Sequence, residues 1–72
     1  MDNTSVPMHP VKSTNLSYVG WQDGTLYITF HGGNKYKYLN VPENEFNYLK
    51  DSTSPGTYFN TDIKNKYTCE EI

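Results

Sequence analysis

Two glycine turns fix the first half of this chain. Asp23-Gly24 and Gly32-Gly33-Asn34 bracket Thr25 to Phe30, and both sequences suit tight hairpin turns because glycine accepts the positive φ that such turns demand. The bracketed residues alternate. Leu26, Ile28 and Phe30 fall on one face of a strand, and Thr25, Tyr27 and Thr29 on the other. Leu16 to Trp21 supplies the strand before and Lys35 to Val41 the strand after, so an antiparallel meander of three strands is expected.

The remainder has helical spacing. Pro42 suits the first position of a helix, where its missing amide proton costs nothing, and Glu43 and Glu45 favour the positive end of the helix dipole. A helix is expected from Pro42 to Asp51, with Phe46 and Leu49 as its apolar stripe, and Ser52-Thr53-Ser54-Pro55-Gly56 breaks it. Beyond the break, Phe59, Ile63 and Tyr67 repeat at i, i+4 and i+8, which predicts a second helix. The expected fold class is therefore α+β: a three-stranded antiparallel β-meander followed by two short helices packed on one face. Residues 1–10, with two prolines and no apolar periodicity, are expected to form a flexible leader, 11–69 a single domain, and 70–72 an acidic tail.

A chain of 72 residues buries only roughly 60% of the surface its unfolded form exposes, so its core is small. With seven tyrosines, three phenylalanines and one tryptophan, rings supply much of that core, and tyrosine hydroxyls stay close to water or a partner. Cys69 is the sole cysteine, which excludes an intramolecular disulfide, and no recognised spacing joins it to His9 and His31 as a metal site. Met1 to Thr14 lacks the basic start and apolar centre of a secretory signal. No apolar run approaches the about 18 residues needed to span a bilayer. A cytoplasmic protein without cofactors is expected, in the host cytoplasm if a phage encodes it.

The charge argues against bulk electrostatic binding of nucleic acid. Six lysines, no arginine and eight carboxylates leave −2, whereas non-specific binding to duplexes is driven by displaced counterions and accompanies basic domains. The lysines are unevenly spread, however. Most lie between Lys35 and Lys66, so a local positive face is compatible with the composition.

No nucleophile elbow, phosphate loop or metal-ligand motif is present, and an enzyme is not expected. His31 could contact an anion or a base, or be an exposed turn residue. Gly32-Gly33-Asn34-Lys35 could form an anion nest, but the hairpin needs those glycines in any case. The start of the second helix offers free amides near Asn60 and Lys64, or is simply capped by Ser54 or Thr57. Tyr36 and Tyr38 could stack on bases, yet strand parity sends Lys35 and Lys37 to the opposite face, so the tyrosines are assigned to the core. Trp21, Tyr27 and Lys37 are expected on the outer sheet face, where they would form a patch for a base, a nucleotide, a protein or a second copy of the domain.

Several short motifs fall in an order that resembles the KTSC domain, a short module found alone and at the end of some lysyl-tRNA synthetases. They are Ser13-Thr14-Asn15-Leu16, Val19-Gly20-Trp21, Gly24-Thr25-Leu26, the Tyr36-Lys37-Tyr38 strand, Val41-Pro42, Phe46 with Leu49, Gly56-Thr57-Tyr58-Phe59-Asn60, and Ile63. The resemblance implies an α+β module for which RNA binding has been suggested, and it brings no catalytic residues. Family members often carry arginines in the central strand and around the last helix, where this chain has Lys37, Lys64 and Lys66. Lysine lacks the planar fork that holds phosphate bidentately.

Two functions from different classes are consistent with these observations. One is a non-enzymatic binding module for RNA or a nucleotide ligand, with Trp21, Tyr27, Lys37, Asn60, Lys64 and Lys66 as its ligand-binding residues. The alternative is a phage or mobile-element inhibitory protein that sequesters a cyclic nucleotide signal or binds a host protein. Either could act as a homo-oligomer, which a small core favours. A purely structural add-on is the third reading.

Overall fold

The computed structural model describes residues 6–72. Five antiparallel strands form one sheet in the order β1-β2-β3-β4-β5, with β1 Met8–Pro10, β2 Leu16–Gln22, β3 Thr25–Phe30, β4 Lys35–Tyr38 and β5 Cys69–Glu71. The helices lie between β4 and β5 in sequence. The expected three-strand meander is present as the centre of this sheet, and β1 and β5 extend it on both edges. Neither edge strand has apolar alternation; each is three residues long and exposed, and pairing with a neighbour is what makes it a strand.

These edges correct the expected domain limits. Met8–Pro10, placed in a flexible leader, pairs with Gly20, Val19 and Tyr18, while residues 1–5 of that leader lie outside the described residues. The tail expected at 70–72 contributes Glu70 and Glu71 to β5, where they pair with Lys37 and Tyr36.

The turns follow from their residues. Asp23 and Gly24 both have positive φ, 52° and 82°, the combination a two-residue hairpin turn with the twist of its strands requires. After β4, Asn40 adopts φ 60°. This left-handed residue breaks strand parity, so that Val41 enters the core at 1% exposure while its amide bonds the Gly24 carbonyl at 2.8 Å. Leu39, before the break, stays half-buried. A bulge between Leu16 and Tyr18 similarly lets both Leu16 and Val19 point inward.

One glycine is dictated by packing. A Cβ on Gly20 would lie 2.5 Å from Met8 Sδ and 2.7 Å from the Pro7 carbonyl, because the segment from Val6 to Met8 runs flat across the outer sheet face there. That face was expected to be bare, and part of it is covered by the chain's own N-terminal segment.

On the inner face, α1 (Glu43–Asp51) buries Phe46 and Leu49 as its spacing predicts, and also Glu45. The second helix departs from expectation. Pro55 opens α2, Pro55–Tyr58, and the chain then widens into a π-helical turn at Phe59–Ile63, in which the Lys64 amide bonds the Phe59 carbonyl at 2.9 Å. Phe59 and Ile63 still reach the core with Leu16, Leu26, Ile28 and Tyr38. Turns of this kind are rare and recur at functional sites.

Candidate ligand-binding cleft

The six residues singled out from the sequence occupy four different places. Trp21 lies opposite Leu26 in the β2–β3 ladder, on the inner face, and its Nε1 donates to the Val41 carbonyl at 2.7 Å. It is a core tie and not part of an outer patch. Tyr27 and Lys37 are direct cross-strand neighbours on the outer face, as anticipated, and Lys37 pairs with Glu70 on β5 at 3.6 Å. The proposed patch therefore loses its tryptophan to the inner face and gains a carboxylate.

Lys66 belongs to a third arrangement, centred on Glu45. This carboxylate is 8% exposed and accepts hydrogen bonds from Tyr58 Oη, from Tyr67 Oη at 2.9 Å and from Lys66 Nζ at 3.2 Å. Burial pushes its pKa up, but the three donors outweigh burial and hold it below its ordinary value. The same bonds raise Lys66; burial, then the Glu45 bond, raises Tyr58 and Tyr67. All three donors meet at Glu45, so the cluster braces α1 against the end of α2 and against the segment that follows the π-helical turn. Glu45 had been assigned only to the helix dipole. Its place four residues before Leu49, on the buried side of the helix, was the available signal.

Asn60 and Lys64 form the remaining pair. They line a cleft of about 610 Å³ between the π-helical turn and the β3–β4 end of the sheet, facing Asn15, His31 and Asn34. Its inner surface is aromatic. Phe30 meets Tyr36 and Phe59 edge to face, each at 5.6 Å, and Phe59 meets Tyr38 at 5.4 Å and 83°. Such T-shaped contacts lock ring orientations.

The rim is built from turns. Ser13 Oγ accepts from the amides of Asn15 and Leu16, both at 3.1 Å, which shapes the entry to β2. Gly56, at the helix start where an anion had been considered, packs onto that serine so closely that a Cβ would lie 2.7 Å from Oγ. His31 bonds the Ser13 carbonyl through Nε2 at 2.8 Å. A carbonyl only accepts, so Nε2 is the donor. The histidine is thus a turn tie at the cleft rim.

Among the described residues no acidic side chain lines the cleft, which presents asparagine amides, one lysine, the Cys69 thiol and aromatic rings. Sequence reasoning singled out Asn60 and Lys64 here and missed Asn15, Asn34 and the cleft-facing side of Tyr38, because these come from separate turns and strands. No helix is long and apolar enough to cross a membrane among the described residues.

Comparison with known proteins points one way. A family model for the KTSC domain matches residues 12–67. The fold is similar to the crystal structure of a KTSC domain protein from Yersinia pestis, with a TM-score of 0.84 and 32% sequence identity, over 94% of this chain and 99% of that one. No curated protein matches at the sequence level.

Proposed function

This chain belongs to the KTSC domain family, and we propose that it is a non-enzymatic binding module that holds one nucleotide unit, free or within single-stranded RNA, in the cleft between the π-helical turn and the sheet. The observation that carries this reading is the chemistry of that cleft: an aromatic floor, amide-bearing rims and a single lysine with no carboxylate among the lining residues. Rings offer a base a stacking or edge contact worth about 1–3 kcal/mol. Asparagine amides can both donate to and accept from a base edge. Lys64 supplies a point charge for a phosphate at the rim.

The net charge of −2 is compatible with this, because a few aimed donors in a concave site act without a basic domain around them. Binding with only one phosphate contact has a shallow salt dependence, about −0.7 in log–log slope for a single-stranded ligand. Two of the described lining residues suit binding: Nε2 of His31 bonds a carbonyl, and burial, the Cys69 thiol and Tyr36 push Tyr38 up to about 12, leaving it a neutral donor.

The test is titration of the protein, followed by amide NMR, with the four ribonucleoside 5′-monophosphates and with a tetranucleotide RNA. Shifts confined to the turns at Asn15, Asn34 and Asn60 are expected, with affinity falling about tenfold in Lys64→Glu, equivalent to one lost charge-assisted contact. Mononucleotide binding indicates sequestration of a free ligand, and binding of the tetranucleotide alone indicates an RNA reader. Silence toward all five probes at millimolar concentration refutes the proposal.

A further inference from the structure

Three tyrosines send hydroxyls into the interior on the helix side of the sheet, and they are treated differently. Tyr58 and Tyr67 each donate to Glu45. Tyr38 is the most buried of the three, at 4% exposure, yet its hydroxyl bonds no oxygen or nitrogen among the described residues, and its near polar neighbour is the Cys69 thiol. Sulfur is a weak partner in either direction. A buried hydroxyl without an oxygen or nitrogen partner is costly, and phenylalanine would fill the same space without that cost.

The ring cannot turn away to find water. Its strand is paired on both sides, Tyr38 opposite Leu26 in β3 and opposite Cys69 in β5, and its edge is held against Phe59. Tyr38 lines the cleft together with the exposed Cys69, whose thiol is the hydroxyl's neighbour. A polar group fixed in this way is satisfied by whatever enters from the cleft.

We propose that the Tyr38 hydroxyl is a specificity-determining donor, directed at a carbonyl oxygen or ring nitrogen of a base that enters the cleft ahead of its sugar and phosphate. This rests on the nucleotide-binding reading and adds an orientation to it. The phenol is protonated across the physiological range, since burial, the thiol and Tyr36 push it up to about 12, and a neutral phenol at an aromatic floor selects a neutral acceptor. A phosphate has its cation at the rim, in Lys64. The base therefore lies inward and the phosphate outward.

The experiment compares wild type, Tyr38→Phe and, as a control, Tyr18→Phe, whose phenol is 44% exposed on the outer face. Probes are the four ribonucleoside 5′-monophosphates and ribose 5-phosphate, which lacks a base. Tyr38→Phe is expected to keep or raise the wild-type Tm while losing about tenfold in affinity for the best-bound monophosphate, with ribose 5-phosphate binding and Tyr18→Phe both unchanged. Equal monophosphate affinity in wild type and Tyr38→Phe, or an equal loss for ribose 5-phosphate, overturns the orientation while leaving nucleotide binding intact. A wild type that binds no probe overturns both. A second measurement uses unmodified protein: alkylation of Cys69 by iodoacetamide is expected to slow several-fold with monophosphate bound and not with ribose 5-phosphate, and unslowed alkylation at saturation refutes the inward base even if Tyr38→Phe does not fold.

Discussion

Around Glu45, three donors from either side of the π-helical turn converge on one buried carboxylate, whereas in the cleft lined by Asn60 and Lys64 the Tyr38 hydroxyl has only a thiol beside it among the described residues. One stretch of chain, Tyr58 to Tyr67, contributes to both regions. The brace uses polar groups that are complete within the fold, and their energy goes into holding α1 against the helical segment. In the cleft the Tyr38 hydroxyl is incomplete among the described residues, and under the function proposed above a ligand would complete it. The two regions thus contrast a buried polar group that is paired with one that is not.

The sharpest way to break this comparison is to delete the acceptor of the brace. Glu45→Ala leaves two phenols and an ammonium without their common partner and is expected to destabilise the domain by about 3 kcal/mol in urea unfolding. A loss no larger than that of an ordinary surface substitution would mean that the three bonds are not formed in solution. The brace also has a pH signature. Because the folded pKa of Glu45 is lowered from 4.5, its contribution is complete above that ordinary value and disappears as pH falls through the folded value. The stability gap between wild type and Glu45→Gln should accordingly close on acidification below pH 4.5, and a constant gap would contradict the assignment.

Removing the same atom from each region sharpens the contrast. Tyr67→Phe deletes a hydroxyl that bonds a carboxylate and should cost about 1 kcal/mol, while Tyr38→Phe deletes one without an oxygen or nitrogen partner and should cost nothing or stabilise. Thermal unfolding of the pair decides it; equal losses would show that the two phenols are alike. The smallest effect belongs to the outer face. Lys37→Ala removes an exposed pair with Glu70 at 3.6 Å and should change stability by under about 0.5 kcal/mol, without altering nucleotide binding, because Lys37 faces away from the cleft. A large binding defect would return Lys37 to the site from which its strand parity removes it.

The central fold was legible because its signals are local. Asp23-Gly24 dictates a turn whatever surrounds it, the alternation through Leu26, Ile28 and Phe30 assigns an inner face, and Pro42 with Phe46 and Leu49 marks α1. The edge strands were not legible, for Met8–Pro10 and Cys69–Glu71 contain no pattern that distinguishes a strand from a polar terminus. The π-helical turn was hidden by the i, i+4, i+8 spacing of Phe59, Ile63 and Tyr67, which a continuous α-helix would satisfy equally well. Of the candidate site, Asn60 and Lys64 were found because they lie one turn apart on one segment. Trp21 was misplaced for want of one fact, that Val41 passes within 2.7 Å of its indole nitrogen.

The amino-acid order alone determined the three-strand meander, the two helical segments and the family, because turn chemistry, strand alternation and helical spacing act between residues a few positions apart. Tertiary structure decided the rest: that Glu45 gathers Tyr58, Lys66 and Tyr67, that Met8–Pro10 and Cys69–Glu71 extend the sheet at its edges, and that Asn15, Asn34, Tyr38, Asn60 and Lys64 share one cleft. Those meetings join residues far apart in sequence, and their partners are set by how the elements pack.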